Sequence, residues 1–233
     1  MAFDWFTWKG TRCTEYGVHV VRQPEIIRPP ERVTFQSVPG RSGSLITLEG
    51  QDVYDDFILS VECTISDTTR LNDITQWLKG SDKVTFANRQ GGFYYAHIVN
   101  QIPFEQILRG HPHRRFTVSF RCQPFFYLSD VEDIIVSASG TFINNPGSVF
   151  SEPVLSVFLT GDAEITVGNS YFAITGLTGT VTVDTPLMET YKTYTSHNSR
   201  MSGDYPTLQV GQNIITWTGG IAQIVIKPNW RVL

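Results

Sequence analysis

The stretch Phe116-Thr117-Val118-Ser119-Phe120-Arg121-Cys122-Gln123-Pro124 constrains this chain most. Phe116, Val118, Phe120 and Cys122 recur with a period of two, so they share one face of an extended strand. Thr117, Ser119 and Arg121 fall on the other. A strand of this kind needs neighbours for its ladder and a layer over its apolar face. Pro124 removes a ladder donor and ends it. Upstream, strand patterns mix with one helix pattern. Downstream of Leu128 only short strands and turns follow. The stretch therefore reads as the last strand of one domain and the hinge into another, with boundaries at 1–128 and 129–233.

In the first half, Phe3, Trp5, Phe6 and Trp8 form an aromatic-rich start that Gly10 breaks, and Tyr16 to Val21 is extended. Arg28-Pro29-Pro30-Glu31-Arg32 is non-helical, because each proline fixes φ and restricts the residue before it. Val33 to Val38 alternates again. Pro39-Gly40-Arg41-Ser42-Gly43 reads as a turn that presents Arg41 outward. Phe57, Leu59, Val61, Cys63 and Ile65 share a strand face, with Ile58 an apolar exception on the other side. Asp67 is placed to cap a helix over 68–79, on which Leu71, Ile74 and Leu78 share a side with Trp77 beside them. Lys79 suits the C-terminal dipole and Gly80 the stop. Lys83–Phe86 and Phe93–Val99 read as strands. One helix on an antiparallel sheet is an α+β module.

The second half reads as all β. Asn144-Asn145-Pro146-Gly147 is a turn, and Gly168-Asn169 is a tight hairpin signal. Strands are expected at 153–159, 164–167, 171–174, 180–184, 189–191, 213–217 and 221–226. That spacing is the signature of a β-sandwich. Residues 184–206, polar and tyrosine-rich, read as a long surface loop.

The chain has 233 residues, 41% hydrophobic and 17% charged, the balance of a globular protein. No apolar run reaches the roughly 18 residues of a membrane helix, and the start lacks the basic and apolar regions of a signal peptide. Residues 1–130 hold 14 Lys and Arg against 14 Asp and Glu, and residues 131–233 hold 4 against 8. Neither half carries the basic surplus that gripping phosphate needs. Cys13, Cys63 and Cys122 are far apart and read as reduced core thiols, with no close pair for zinc.

Chemistry is sparse. His111-Pro112-His113 sits among Arg109, Arg114 and Arg115, which would repel a cation, and reads as a hairpin tip. His19, His97 and His197 stand alone. Ser42 lacks the spacing of a nucleophile elbow, and no phosphate-binding or dinucleotide glycine pattern occurs. Asp52, Asp55 and Asp56 read as a solvated face. No catalytic residue, metal ligand or cofactor site is assigned. A glycosidase carboxylate pair can lie far apart in sequence, so a hydrolase stays a remote alternative. The functional hint is a set of aromatics, Trp5, Trp8, Tyr94, Tyr95, Tyr171, Trp217 and Trp230, in excess of what two small cores need; they read either as core packing or as exposed anchors of a protein contact.

The ordered set of pieces resembles the distal tail protein family of siphophages, the long, non-contractile-tailed bacteriophages. It rests on Trp8-Lys9-Gly10, Tyr16-Gly17-Val18, Pro29-Pro30-Glu31-Arg32, Val38-Pro39-Gly40-Arg41-Ser42-Gly43 and Trp77-Leu78. It continues with Phe120-Arg121-Cys122-Gln123-Pro124-Phe125, Asn145-Pro146-Gly147, Glu152-Pro153-Val154, Pro206-Thr207-Leu208, Gly211-Gln212-Asn213 and the Trp217 strand. The resemblance implies a mainly β fold: a ring-forming N-terminal α+β domain of antiparallel sheets with one helix, then a galectin-like β-sandwich.

It also implies a structural virion protein, a homo-hexameric hub at the tail tip. The hub would link the tail tube to the tip or baseplate and let DNA pass without specific binding. The implied partners are the tail tube protein, the tape-measure protein, the tail-associated tip protein and a receptor-binding protein, with assembly in the host cytoplasm and no membrane anchor. Ring contacts are expected at Arg28, Arg32, Pro39, Gly40, Arg41 and Gly43, with Arg41 as an ion-pair donor, and at strand faces beside Trp77. Two features depart from the family. Trp217-Thr218-Gly219-Gly220 lacks the polar set of a galectin sugar site, and the second half has no room for an inserted carbohydrate-binding module. The alternative reading is a lectin-like adhesin using the Tyr191–Tyr205 stretch for sugar stacking.

Overall fold

The computed structural model describes residues 4–50, 52–107 and 109–233; Phe3 of the aromatic start lies outside them. Two compact units form, Met1–Ser129 with Leu233, and Asp130–Val232.

The first unit is built on β1 (Phe6–Trp8), β2 (Thr11–Arg12), β3 (Val18–Arg22), β4 (Val33–Ser37), β5 (Ser44–Leu48) and β6 (Phe57–Ile65). After α1 (Leu71–Trp77) come β7 (Ser81–Phe86), β8 (Arg89–Ile98), β9 (Glu105–Gln106), β10 (Arg114–Cys122) and β11 (Phe126–Leu128). The main sheet runs β2-β1-β7-β8-β10-β6-β3, with β9 on β10 and β11 on β8. The opening alternation is β10. Phe116, Val118, Phe120 and Cys122 are all buried, and β10 pairs with β6 from Arg114–Ile65 to Cys122–Phe57. Phe120 sits at the centre of the core, with the rings of Phe6, Trp8 and Phe86 at 5.5, 5.3 and 5.7 Å. After Pro124 the chain does not leave this unit but adds β11.

The helix is shorter than the periodicity predicts. It spans Leu71–Trp77 and packs Ile74 and Trp77 inward. Asp67 caps no helix. Its carboxylate accepts from the Thr69 backbone N–H and hydroxyl at 2.9 and 2.7 Å, which holds a turn before the helix begins. Gly80 takes a positive φ of 80° just beyond the end.

β4 and β5 stand apart as a two-stranded hairpin, paired from Val33–Leu48 to Ser37–Ser44. The loop 38–43 forms its tip, where the Arg41 N–H donates to the Val38 carbonyl at 3.1 Å.

The second unit contains β12 (Ile134–Val136), β13 (Thr141–Asn145), β14 (Val154–Val167), β15 (Ser170–Ile174), β16 (Gly179–Asp184), β17 (Glu189–Lys192), β18 (Thr195–Ser196), β19 (Met201–Gly203) and β20 (Gly211–Lys227). Two expected strand pairs are each one long bent strand, β14 and β20. The first half of β14 pairs with β16 and with the end of β20. Its second half pairs with β15 and with the start of β20. The two long strands thus pass through both layers of the sandwich and turn the corner together. Leu155, Val157, Ile165, Phe172, Val181, Ile215 and Ile224 fill the space between.

The corner needs glycine: a Cβ on Gly220 would lie 2.5 Å from the Gly161 nitrogen, and one on Gly219 would lie 2.2 Å from the Asp162 carbonyl. These glycines look like breaks in sequence because a bulge and a turn share the same composition. The 184–206 stretch is likewise more regular than a loop, holding β17 to β19 and a short 3₁₀ turn at Asn198–Arg200.

Candidate functional site

The residues expected to make contacts fall into three settings. Arg28 and Arg32 sit at the root of the β4–β5 hairpin and are held by their own chain. Arg28 pairs with Glu31, and Arg32 Nε donates to Asp55 Oδ1 at 2.7 Å. Contact with Tyr54 and then Glu31 raises Arg28 above the ordinary guanidinium range, and Asp55 does the same for Arg32. Backbone bonds from Arg32 to the Val53 carbonyl and from Asp55 to the Pro30 carbonyl, 3.0 Å each, add to the anchor. Two members of the Asp52–Asp56 cluster are therefore ion-pair partners, since Asp56 also meets Arg121 at 3.1 Å.

Pro39, Gly40, Arg41 and Gly43 form the exposed tip of the hairpin. Gly40 and Gly43 each take φ of 79°, a conformation that L side chains resist. Arg41 is exposed and is not among the described ion pairs.

Trp77 lies in a third setting, the core. Its ring stacks on Phe6 at 5.6 Å and on Tyr16 at 4.7 Å, and its indole donates to the Trp8 carbonyl at 3.1 Å. Its side chain is 6% exposed and braces the unit from within. Of the aromatics that read as either core or contact residues, Trp8, Tyr94 and Trp230 are buried as well, whereas Tyr95 and Tyr171 face solvent. Aromatic content alone does not separate a core ring from a surface ring.

The hairpin also has an apolar side. Register places Val33, Phe35, Ile46 and Leu48 on one face, and Phe35, Ile46 and Leu48 are 64, 61 and 60% exposed. Val33–Val38 alternates in sequence, whereas the adjacent Leu45 and Ile46 blur the alternation of 44–48.

An open depression of about 530 Å³ on the outer side of the main sheet is lined by Asp56, Asp82, Tyr95, His97, Arg121 and Gln123. Ser81 Oγ lies 2.7 Å from His97 Nδ1, and Lys83 lies 4.4 Å from the Phe93 ring centre. No group of three or more potential metal ligands occurs among the described residues. His111 and His113 are close, with ring centres 6.3 Å apart, on an exposed turn. In the tyrosine-rich stretch considered for sugar stacking, Tyr194 is 99% exposed, while Tyr205 is tied to Asn198 at 3.2 Å.

No family model matches the sequence, and no curated protein matches it. Among solved structures it is similar to the crystal structure of the SPP1 Dit (gp 19.1) protein, with a TM-score of 0.73 and 15% identity over 95% of this chain and 97% of that one. That protein is described as a paradigm of the hub adsorption apparatus in phages infecting Gram-positive hosts. Across nearly its whole length, this chain has the fold of SPP1 Dit.

Proposed function

We propose that this protein is a structural component of a siphophage tail, a homo-hexameric hub at its distal end. The observation that carries this reading is the shared fold, which extends through both units and leaves only a small fraction of either chain unmatched. The ring joins the tail tube to the tip or baseplate and leaves an opening through which DNA passes. The balanced charge of residues 1–130 supports a ring that does not hold DNA. Its neighbours in the virion are the tail tube, tape-measure and tail-associated tip proteins, with a receptor-binding protein beyond. Assembly takes place in the host cytoplasm. The role is that of a scaffold, with no catalysis.

Electron microscopy of the purified protein tests this reading. The expected particle is a ring with six-fold symmetry and a central opening. A particle of closed two-fold symmetry would contradict it.

A further inference from the structure

The β4–β5 hairpin is an anomaly for a solitary chain. Three large apolar side chains on one face of a two-stranded arm are exposed together. The arm is not loose, because its root is fixed by the Arg32–Asp55 pair and by three backbone hydrogen bonds: Arg32 to Val53, Glu49 to Arg32 and Asp55 to Pro30. Arg41 is the only charged residue in 33–48, and it stands at the tip.

A second surface on the same unit has the complementary character. At the β3–β6 end of the sheet an open groove of about 240 Å³ is lined by Arg22, Glu25, Ile27, Ile58, Glu62 and Thr117. Ile58 and Ile27 are 54 and 43% exposed. Glu25 is paired with Arg22. Glu62 is in none of the described ion pairs, so the groove offers apolar walls and one open carboxylate. The arm offers an apolar face and one open guanidinium.

We infer that the β4–β5 arm of one copy docks in the β3–β6 groove of the next, with Arg41 meeting Glu62. This rests on the ring reading above and names the surfaces that build it. Because arm and groove are different surfaces, each copy gives one and receives one. Such a head-to-tail contact closes into a ring when the rotation between copies allows.

Charge variants and a mixing experiment test this by sedimentation velocity. Phe35→Ser/Ile46→Ser alters two exposed side chains and Ile58→Ser/Glu62→Arg one exposed and one half-buried side chain, and circular dichroism checks that each folds. Each should raise the dissociation constant by about 30-fold or more, the scale of a lost interface anchor. Arg41→Glu and Glu62→Arg should each weaken assembly, and their combination should restore it. A mixture of the arm-defective and groove-defective proteins has one sound surface of each kind and should give heterodimers that grow no further. Rings formed by both double variants with the wild-type dissociation constant would overturn the docking while leaving the ring reading intact. A wild-type protein that stays monomeric at every concentration would overturn both.

Discussion

Trp8 and Trp77 exchange hydrogen bonds. The Trp8 indole donates to the Trp77 carbonyl at 3.0 Å, and the Trp77 indole donates to the Trp8 carbonyl at 3.1 Å. The pair ties β1 to the end of α1 across 69 residues of chain. Trp77→Phe keeps a ring for Phe6 and Tyr16 to stack on but leaves the Trp8 carbonyl without this donor. It should destabilise the first unit by about 1–3 kcal/mol. Urea unfolding followed by a probe in that unit measures this, and the second unit should be unaffected.

The three cysteines are buried and unpaired, and burial raises all of them. Cys13 moves from 9.0 up to about 11 and Cys122 up to about 12, while Cys63 is raised further. A folded value above the unfolded one means that the native state holds its proton longer. The contribution to stability is full below about pH 9 and is lost as pH rises through about 11. The urea midpoint should therefore fall between pH 9 and 11, and Cys122→Ala should remove part of that slope. At pH 8 the native protein should resist thiol reagents that label the unfolded chain.

The bend shared by β14 and β20 separates two glycines that look alike in sequence. A Cβ on Gly220 meets the backbone of Gly161, whereas a Cβ on Gly161 has no neighbour within 4 Å. Gly220→Ala should cost about 2–3 kcal/mol through backbone displacement, and Gly161→Ala should be nearly neutral. Thermal unfolding of the two variants side by side checks this.

Arg231 is 3% exposed, and its Nη1 lies 3.0 Å from Glu152 Oε2 while its Nε donates to the Phe150 carbonyl at 2.8 Å. Glu152→Ala leaves a buried guanidinium with less compensation. The expected loss is about 2–4 kcal/mol, toward the lower end because Glu152 is itself partly exposed. Stability of Glu152→Gln should fall between that of wild type and Ala.

Period-two alternation made β6 and β10 legible down to their buried faces, because one-sided burial imposes that pattern directly. The helix was legible in kind but not in length. Asp67 has the chemistry of a cap, and only coordinates show that it closes a turn around Thr69 instead. Strand continuity through Gly161 and Gly219-Gly220 was hidden, since glycine marks a turn and a corner equally. Trp77 shows the same limit at the candidate site. A tryptophan at a helix end signals burial against something, and whether that something is its own core or another molecule is a tertiary fact. Arg28 and Glu31 are three residues apart and pair locally, but Arg32 and Asp55 are 23 residues apart and come together only through the folded hairpin root. Asn145 was legible as a turn residue, yet its buried amide also donates to the carbonyls of Val149 and Leu208 at 3.1 and 3.0 Å.

The solution mass of the wild-type protein, by light scattering after size exclusion across a wide concentration range, tests the central claim most directly. A hub ring predicts a species near six times the 26.3 kDa chain. A monomer across the whole range would contradict it.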